Sequence, residues 1–303
     1  MTEQTRAHLP RPRVRLGTRA WLGAATALGV ALATPAVTGL ASAAQSPSAV
    51  GAAGAVQKTA AAKVRTLQDP RIVESSGLAK SRYTKGRLWT ANDSGGGTTL
   101  YEVGRKGKTV RTFELTGASH KDWEGMARSV IGGVSYLYIG DIGDNGKKRS
   151  SIFVHRVKEP KPGRPGGSLT KYKTYEFRYP DGAHNAEGLM VQPGTHRIFI
   201  VSKVKGRDGA IYRAPSTPST TSVNTLTRVG SAPAGMSDAV FLKDGRFILR
   251  GYVNGWLYSS VNATPRGFAL PLKGESITQA WNRKYVFVGS EHKFSSIWRV
   301  ALP

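Results

Sequence analysis

One pattern is written five times in this chain, and that repetition limits the fold more than any other feature. Each copy holds an apolar strand ending in small or polar residues: "LWTANDSG" from Leu88, "LYIGDIGDN" from Leu137, "IFIVSKVKG" from Ile198, "FILRGYVNG" from Phe247 and "VFVGSEHKF" from Val286. Their starts are 49, 61, 49 and 39 residues apart. A second strand follows, opening on an aliphatic-aromatic pair: Leu100-Tyr101, Ile152-Phe153, Ile211-Tyr212, Leu257-Tyr258 and Ile297-Trp298. A segment of small and acidic residues precedes each copy: "ESSGLA", "DWEGMA", "NAEGLM", "SDAVFL" and, in weaker form, "ESITQA". Repeats of roughly 40 to 60 residues, made of short strands and glycine-bearing turns with no 3.6-residue apolar stripe, predict an all-β protein, a β-propeller of five four-stranded blades.

An outer strand follows the first four copies, in "VRTFEL", "YKTYEFRYP", "LTRVGSAP" and "GFALPL"; the fifth copy has none. An open strand edge invites aggregation, so the last blade needs a partner. Residues 63 to 68, "KVRTLQ", precede the first inner strand and are expected to pair with the last blade and close the ring. The propeller is therefore assigned to residues 63–303.

Residues 1–43 read as a secretory signal. Arg6, Arg11, Arg13, Arg15 and Arg19 precede an Ala- and Gly-rich apolar run that ends in an A-x-A site at Ala41-Ser42-Ala43. An uncleaved anchor is the other reading, but the run is less apolar than a spanning helix usually is. Cleavage predicts a secreted protein with no membrane span. Residues 44–62 have no hydrophobic period and read as a flexible linker. The chain has 44 Lys plus Arg against 19 Asp plus Glu and no cysteine, and loss of residues 1–43 leaves a formal charge of +21. Such a field concentrates anions, so the expected partner is an anionic small molecule or cell-envelope polymer; a merely solubilising surface is the alternative. No specific nucleic-acid motif is present, and a monomer is expected.

Acidic side chains are scarce, yet they fall at repeat positions that a propeller brings to one face. The segments leading into the inner strands supply Glu74, Asp122, Glu124, Glu187, Asp238 and Glu275. The turns between second and third strands supply Asn92, Asp93, Asp141, Asp144, Asn145, Lys203, Arg250, Glu291 and His292. Crowded carboxylates in a partly desolvated channel either protonate or take up a cation. Oxygen ligands without cysteine favour Ca²⁺ over zinc. The expected metal ligands are Glu74, Asp122, Glu124, Asp141, Asp144, Glu187 and Asp238. Asn92, Asp93, Asn145, Lys203, Arg250 and His292 are the candidate ligand-binding residues. Aspartate, asparagine and glycine also build tight turns by bonding their own backbone, so "DIGDNG" admits a second reading. It is no EF-hand loop, because Gly143 and Ile152 stand at its third and twelfth positions and no helices flank it. "GRKGKT" lacks the first glycine of a phosphate-binding loop, and no G-x-S-x-G nucleophile motif occurs.

"ESSGLAKS", "LWTANDSGG", "DWEGMA", "LYIGDIGDN" and "NAEGLMV", between residues 74 and 191, resemble the secreted actinobacterial β-propeller proteins related to phytase-like and esterase-like propeller domains. Gly125 stands where a second acidic residue would be expected. The resemblance implies export, a propeller, and calcium with a phosphoester substrate. Two function classes remain open. One is a calcium-dependent phosphoester hydrolase in which Asp122, Glu124 or Glu187 acts as base while Lys203 and Arg250 hold negative charge. The other is a non-catalytic propeller whose acidic ring binds an ion while its basic exterior holds an anionic polymer. The A-x-A site predicts that the exported protein begins at Ala44 or Gln45. N-terminal sequencing of culture supernatant checks this, and recovery of the full-length chain from membranes alone would reject it.

Overall fold

A computed structural model describes residues 56–303. The expected signal segment and residues 44–55 of the expected linker lie outside the described residues. The runs of four or five apolar residues that sequence analysis singled out are strands buried on both faces, as at Leu88–Asn92, Ile198–Ser202 and Phe247–Gly251. They read as continuous apolar runs because each blade is sandwiched between two others. Outer strands such as Thr109–Glu114 are half-exposed and carry charge.

The strands are numbered in chain order. Strand β1 (Ala61–Thr66) comes first, and the first blade then contains β2 (Ser75–Lys80), β3 (Leu88–Asn92), β4 (Thr99–Val103) and β5 (Thr109–Glu114). The second contains β6 (Trp123–Ile131), β7 (Val134–Asp141), β8 (Ile152–Lys158) and, after the short β9 (Gly167–Ser168), β10 (Tyr172–Arg178). The third contains β11 (Ala186–Val191), β12 (Ile198–Ser202), β13 (Gly209–Arg213) and, after β14 (Asn224–Thr225), β15 (Thr227–Ala232). The fourth contains β16 (Met236–Phe241), β17 (Phe247–Gly251), β18 (Asn254–Tyr258) and β19 (Arg266–Ala269). The fifth contains β20 (Ser276–Gln279), β21 (Tyr285–Gly289) and β22 (Ser296–Ala301).

Its fourth strand is β1, antiparallel to β22 with Ala61 opposite Val300 and Thr66 opposite Ser296. The protein is thus a five-bladed β-propeller closed by its N-terminal strand, as the missing outer strand of the fifth copy implied. Ordered pairing starts before Lys63, because Gln57 bridges Phe268 and β1 begins at Ala61. Five apolar cores fill the five gaps between blades; the one at the closure joins Leu67, Leu78, Tyr101 and Ile297.

A second device ties the blades together. In three of the five blades the segment ahead of the outer strand reaches the outer strand of the preceding blade. Gly167 of β9 pairs in parallel with Phe113 of β5, Asn224 of β14 with Phe177 of β10, and Gln57 with Phe268 of β19. At the closure, the carbonyl of Gly107 accepts the Gln68 N–H at 3.0 Å.

Each of the first four inner strands carries a β-bulge at its start, between Ser75 and Gly77, Trp123 and Met126, Ala186 and Gly188, and Met236 and Asp238. A bulge re-aims a side chain, and here the extra residues include Glu124 and Glu187. Removal of residues 56–66 is expected to unpair β22 and lower the melting temperature by roughly 10 °C, at about 2–4 °C per kcal/mol for a domain of this size. Thermal unfolding followed by circular dichroism measures it, with an unchanged midpoint counting against closure by β1.

Candidate functional site

The bulges of β6 and β11 turn Glu124 and Glu187 into the channel, where they meet a third glutamate from the start of the fifth blade. Glu124 of β6, Glu187 of β11 and Glu275, just ahead of β20, occupy one repeat position in the second, third and fifth blades, and each is at most 5% exposed. One carboxylate oxygen from each lies within 4.8 Å of the others. A second group, Asp93, Asp122 and Glu124, meets the same criterion and shares Glu124 with the first. Its two aspartates are half-buried, so this arm of the cluster reaches toward solvent.

Few positive or donor groups answer this charge. Ser76 Oγ donates to Glu124 Oε2 at 2.6 Å. Lys203 Nζ contacts Glu187 Oε1 and lies 3.7 Å from Glu275 Oε1, beneath the ring of Tyr252. The second oxygen of Glu187 is buried without a partner. Burial first, and Glu187 second, hold Glu124 well above the usual carboxylate range. Burial and then Glu275 push Glu187 up to about 8 despite Lys203. Burial and contact with Glu275 push Glu291 up to about 8, and burial and contact with Asp93 push Asp122 up to about 7. Burial alone would lower Lys203, but Glu187 and Glu275 outweigh it and keep its charge fixed.

Other expected site residues serve the scaffold. Asp141 accepts the N–H groups of Lys121 and Asp122 and the guanidinium of Arg149 at 2.9 Å. Asp144 accepts the N–H groups of Lys148 and Arg149, and its own N–H donates to Asn185 Oδ1 at 2.7 Å. Asn145 accepts from Asn185 Nδ2 and is exposed. "DIGDN" is therefore a turn that fastens the segments leading into β6 and β11, and its aspartates stand outside both carboxylate groups. Asn92 likewise accepts from Val73 and Glu74 and donates to the Arg71 carbonyl. Glu74 is half-buried and belongs to neither group, and His292 is exposed in the turn before β22 with φ 77°.

Asp238 and Arg250 differ most from expectation. Asp238 is fully buried and accepts the N–H groups of Ala239 and Ile277, each at 2.7 Å. Arg250, also fully buried, donates to the carbonyls of Ser276 and Gly289 at 2.5 and 2.7 Å. Both pin the fourth blade to the fifth, and neither is free for a metal or an anion. The acidic residue expected at Gly125 has no room, because a Cβ there would lie 2.6 Å from Leu189 N and 2.7 Å from the Glu187 carbonyl. Glu275 and Glu291 belonged to the expected acidic ring but not to the expected ligand set; Glu275 carries the Glu-x-apolar signature of Glu124 and Glu187, with Ser276 in place of glycine. Nothing in the sequence marked Tyr252 or Ser76 as parts of the site.

No protein family matches the sequence, and no curated protein does. Among solved structures the chain is similar to a gluconolactonase from Xanthomonas campestris, at 14% identity over 80% of this chain and 89% of that one, with a TM-score of 0.45. It is also similar to the PQQ-bound aldose sugar dehydrogenase of Streptomyces coelicolor, at 12% identity over 80% and 98%, TM-score 0.49. A third likeness, at 10% identity over 80% and 92% with a TM-score of 0.41, is to a putative gluconolactonase. These are distant likenesses of backbone course, and no activity follows from them.

Arg250→Met should therefore destabilise the protein by about 3 kcal/mol or more, because it strands buried carbonyls and removes a cation near Asp238. Urea unfolding would register this as a lower midpoint. Because Arg250 is scaffold, any response of the folded protein to divalent cations should survive the change.

Proposed function

We propose that the acidic end of the channel binds one divalent cation, Ca²⁺, and that the exported protein works as a cation-dependent binding propeller for an anionic ligand. The observation that carries this reading is the convergence of Glu124, Glu187 and Glu275 from three blades, with one Glu187 oxygen buried and unpartnered. Buried carboxylates are costly unless protonated, paired or metal-bound, and a single lysine does not balance three glutamates and their neighbour Glu291. Hard carboxylate oxygens, with no sulfur and no imidazole in either group, suit calcium. Glu124, Glu187 and Glu275 would hold the ion, in competition with the ammonium of Lys203, and Asp93 and Asp122 would extend the site toward solvent.

A hydrolytic reading rests on one further feature. The half-buried arm of Asp93 and Asp122 gives the cluster an open side, which a catalytic ion needs and a purely structural one does not. On that reading a phosphoester would approach from the Asp122 side, a bound ion would polarise its phosphoryl oxygen, and Asp122 would take the proton of the attacking water. Calcium-dependent release of phosphate from an aryl phosphate, lost in Asp122→Asn, would establish it. Cation binding without turnover leaves the binding propeller.

Two outcomes are expected for the cation site. Added Ca²⁺ should raise the melting temperature of metal-stripped protein, because a ligand that binds only the folded state stabilises it by about 2.7 kcal/mol at a hundredfold excess over Kd. Glu187→Gln should remove most of that shift and leave the stripped protein as stable or more so, since one member of a repelling cluster is neutralised. A full shift in Glu187→Gln would exclude this residue from the site.

Stability should also depend on pH in a particular direction. Asp122, Glu187 and Glu291 are raised in the folded state to about 7, 8 and 8. Between roughly pH 4 and 8 the folded protein therefore holds more protons than the unfolded chain, and stability falls as pH rises. Metal-stripped protein should melt higher at pH 5 than at pH 8, and saturating Ca²⁺ should reduce that difference. A flat profile in stripped protein would mean that these carboxyls are not desolvated together.

A further inference from the structure

The channel has two chemically opposite ends. Lys80 and Arg128 stand four residues beyond Ser76 and Glu124 in β2 and β6, about 13 Å further along each strand at 3.3 Å per residue. At that end the inner strands and the turns after them enclose a cavity of about 490 Å³, lined by side chains from all five blades. Lys80, Arg82, Arg128, Lys243 and Arg283 line it, and no carboxylate does.

Among the described residues none of these five cations forms a salt bridge. Nε and Nη1 of Arg128 are buried without a hydrogen-bond partner, and Lys80 Nζ reaches only the Ala280 carbonyl, at 3.1 Å. The carboxylate behind this wall is Glu159. Its oxygens already accept from Ser81 Oγ and Ser135 Oγ, each at 2.6 Å, from Trp89 Nε1 and from the Arg82 N–H. Burial, and then Arg128, Arg283 and Lys243, push Lys80 down to about 8, so the cations here feel one another.

We propose that this cavity binds a small polyanion bearing phosphate groups, with Arg128 as the orienting donor and Lys80, Lys243 and Arg283 as its counter-charges. A guanidinium presents paired N–H groups that match phosphate oxygens, and Arg128 lines the cavity without a carboxylate partner of its own. The volume is that of an ordinary small-molecule site. Phe241 and Trp281 in the wall give apolar contact, so a phosphate carried on an organic group fits as well as an inorganic one. The site is independent of the cation cluster, and it supplies the anion-binding face that Arg250 cannot.

Titration calorimetry in buffer freed of divalent ions on a chelating resin tests the proposal, with inorganic pyrophosphate and phenyl phosphate as probes. Saturable binding of either is expected, and the tighter probe tells an inorganic from an organic source. The double variant Lys80→Gln/Arg128→Gln should weaken binding about tenfold or more, as the loss of charged hydrogen bonds does. Lys171→Gln/Lys173→Gln, exposed at β10, removes the same charge and should leave binding unchanged. If the first pair fails to fold, Arg283→Gln at the exposed rim should still weaken binding severalfold. Absence of saturable binding, or an equal loss in the β10 pair, would overturn the site and reduce the effect to the protein's net charge. The calcium response should be intact in Lys80→Gln/Arg128→Gln, so failure of one site is distinguishable from failure of the other.

Discussion

Close approach of the inner strands at glycine governs the rest of the molecule. Gly77, Gly125 and Gly188 occupy one repeat position, immediately after the bulge. A Cβ on Gly77 would meet Met126 N at 2.5 Å, and one on Gly188 would meet Val201 and Ala239 side chains at 2.9 and 3.1 Å. Atoms this close leave no space for a side chain at these three positions. The bulge residue just before each glycine is therefore turned into the channel. Where that residue is serine the channel stays uncharged; where it is glutamate, as in the second and third blades, carboxylates are forced together, and Glu275 from the bulge-free start of the fifth blade joins them.

That crowding accounts for the electrostatics of the site. None of the three glutamates is fully neutralised by a partner of its own, and desolvation is the largest influence on both Glu124 and Glu187. Lys203 is shared between two of them and steadied by Tyr252, so it reduces the repulsion without removing it. The fourth blade contributes no channel carboxylate at all. Its acidic residue, Asp238, is one position later, where the first three blades have glycine, and its side chain accepts backbone N–H groups from within the wall. A shift of one residue along a strand thus converts a channel acid into a structural pin.

The same strands carry cations at their far ends, so the channel is polarised along its length. Neither end is neutralised by the other across about 13 Å, since each is enclosed by its own wall. Charge left unpaired at two sites in one fold is unfavourable to folding, and ligands of opposite sign at the two ends would relieve it. The proposed cation at one mouth and polyanion at the other would account for both clusters with one principle.

Much of this was legible in the sequence. Five copies of a strand pattern fixed the blade number, and the missing outer strand of the fifth copy pointed to β1, because strand repeats and unpaired edges are local features that the chain spells out. The Glu-Gly pairs at Glu124 and Glu187 were also visible, being tied to the repeat. Asp141 and Asp144 were not separable from ligands by sequence, since an aspartate that bonds its own turn and one that binds a metal have the same neighbours; only the position of Arg149 and Asn185 in space distinguishes them. Arg250 and Asp238 looked like site residues because the repeat placed them at the right height, but the packing of the fourth blade against the fifth turned them inward. The basic mouth left no trace at all, because Lys80, Arg128, Lys243 and Arg283 are far apart in the chain and each alone reads as a solvated charge. Sequence determined the period, the closure and the scarcity of acids. Tertiary structure decided which charges lose their water together, because desolvation depends on neighbours contributed by other blades.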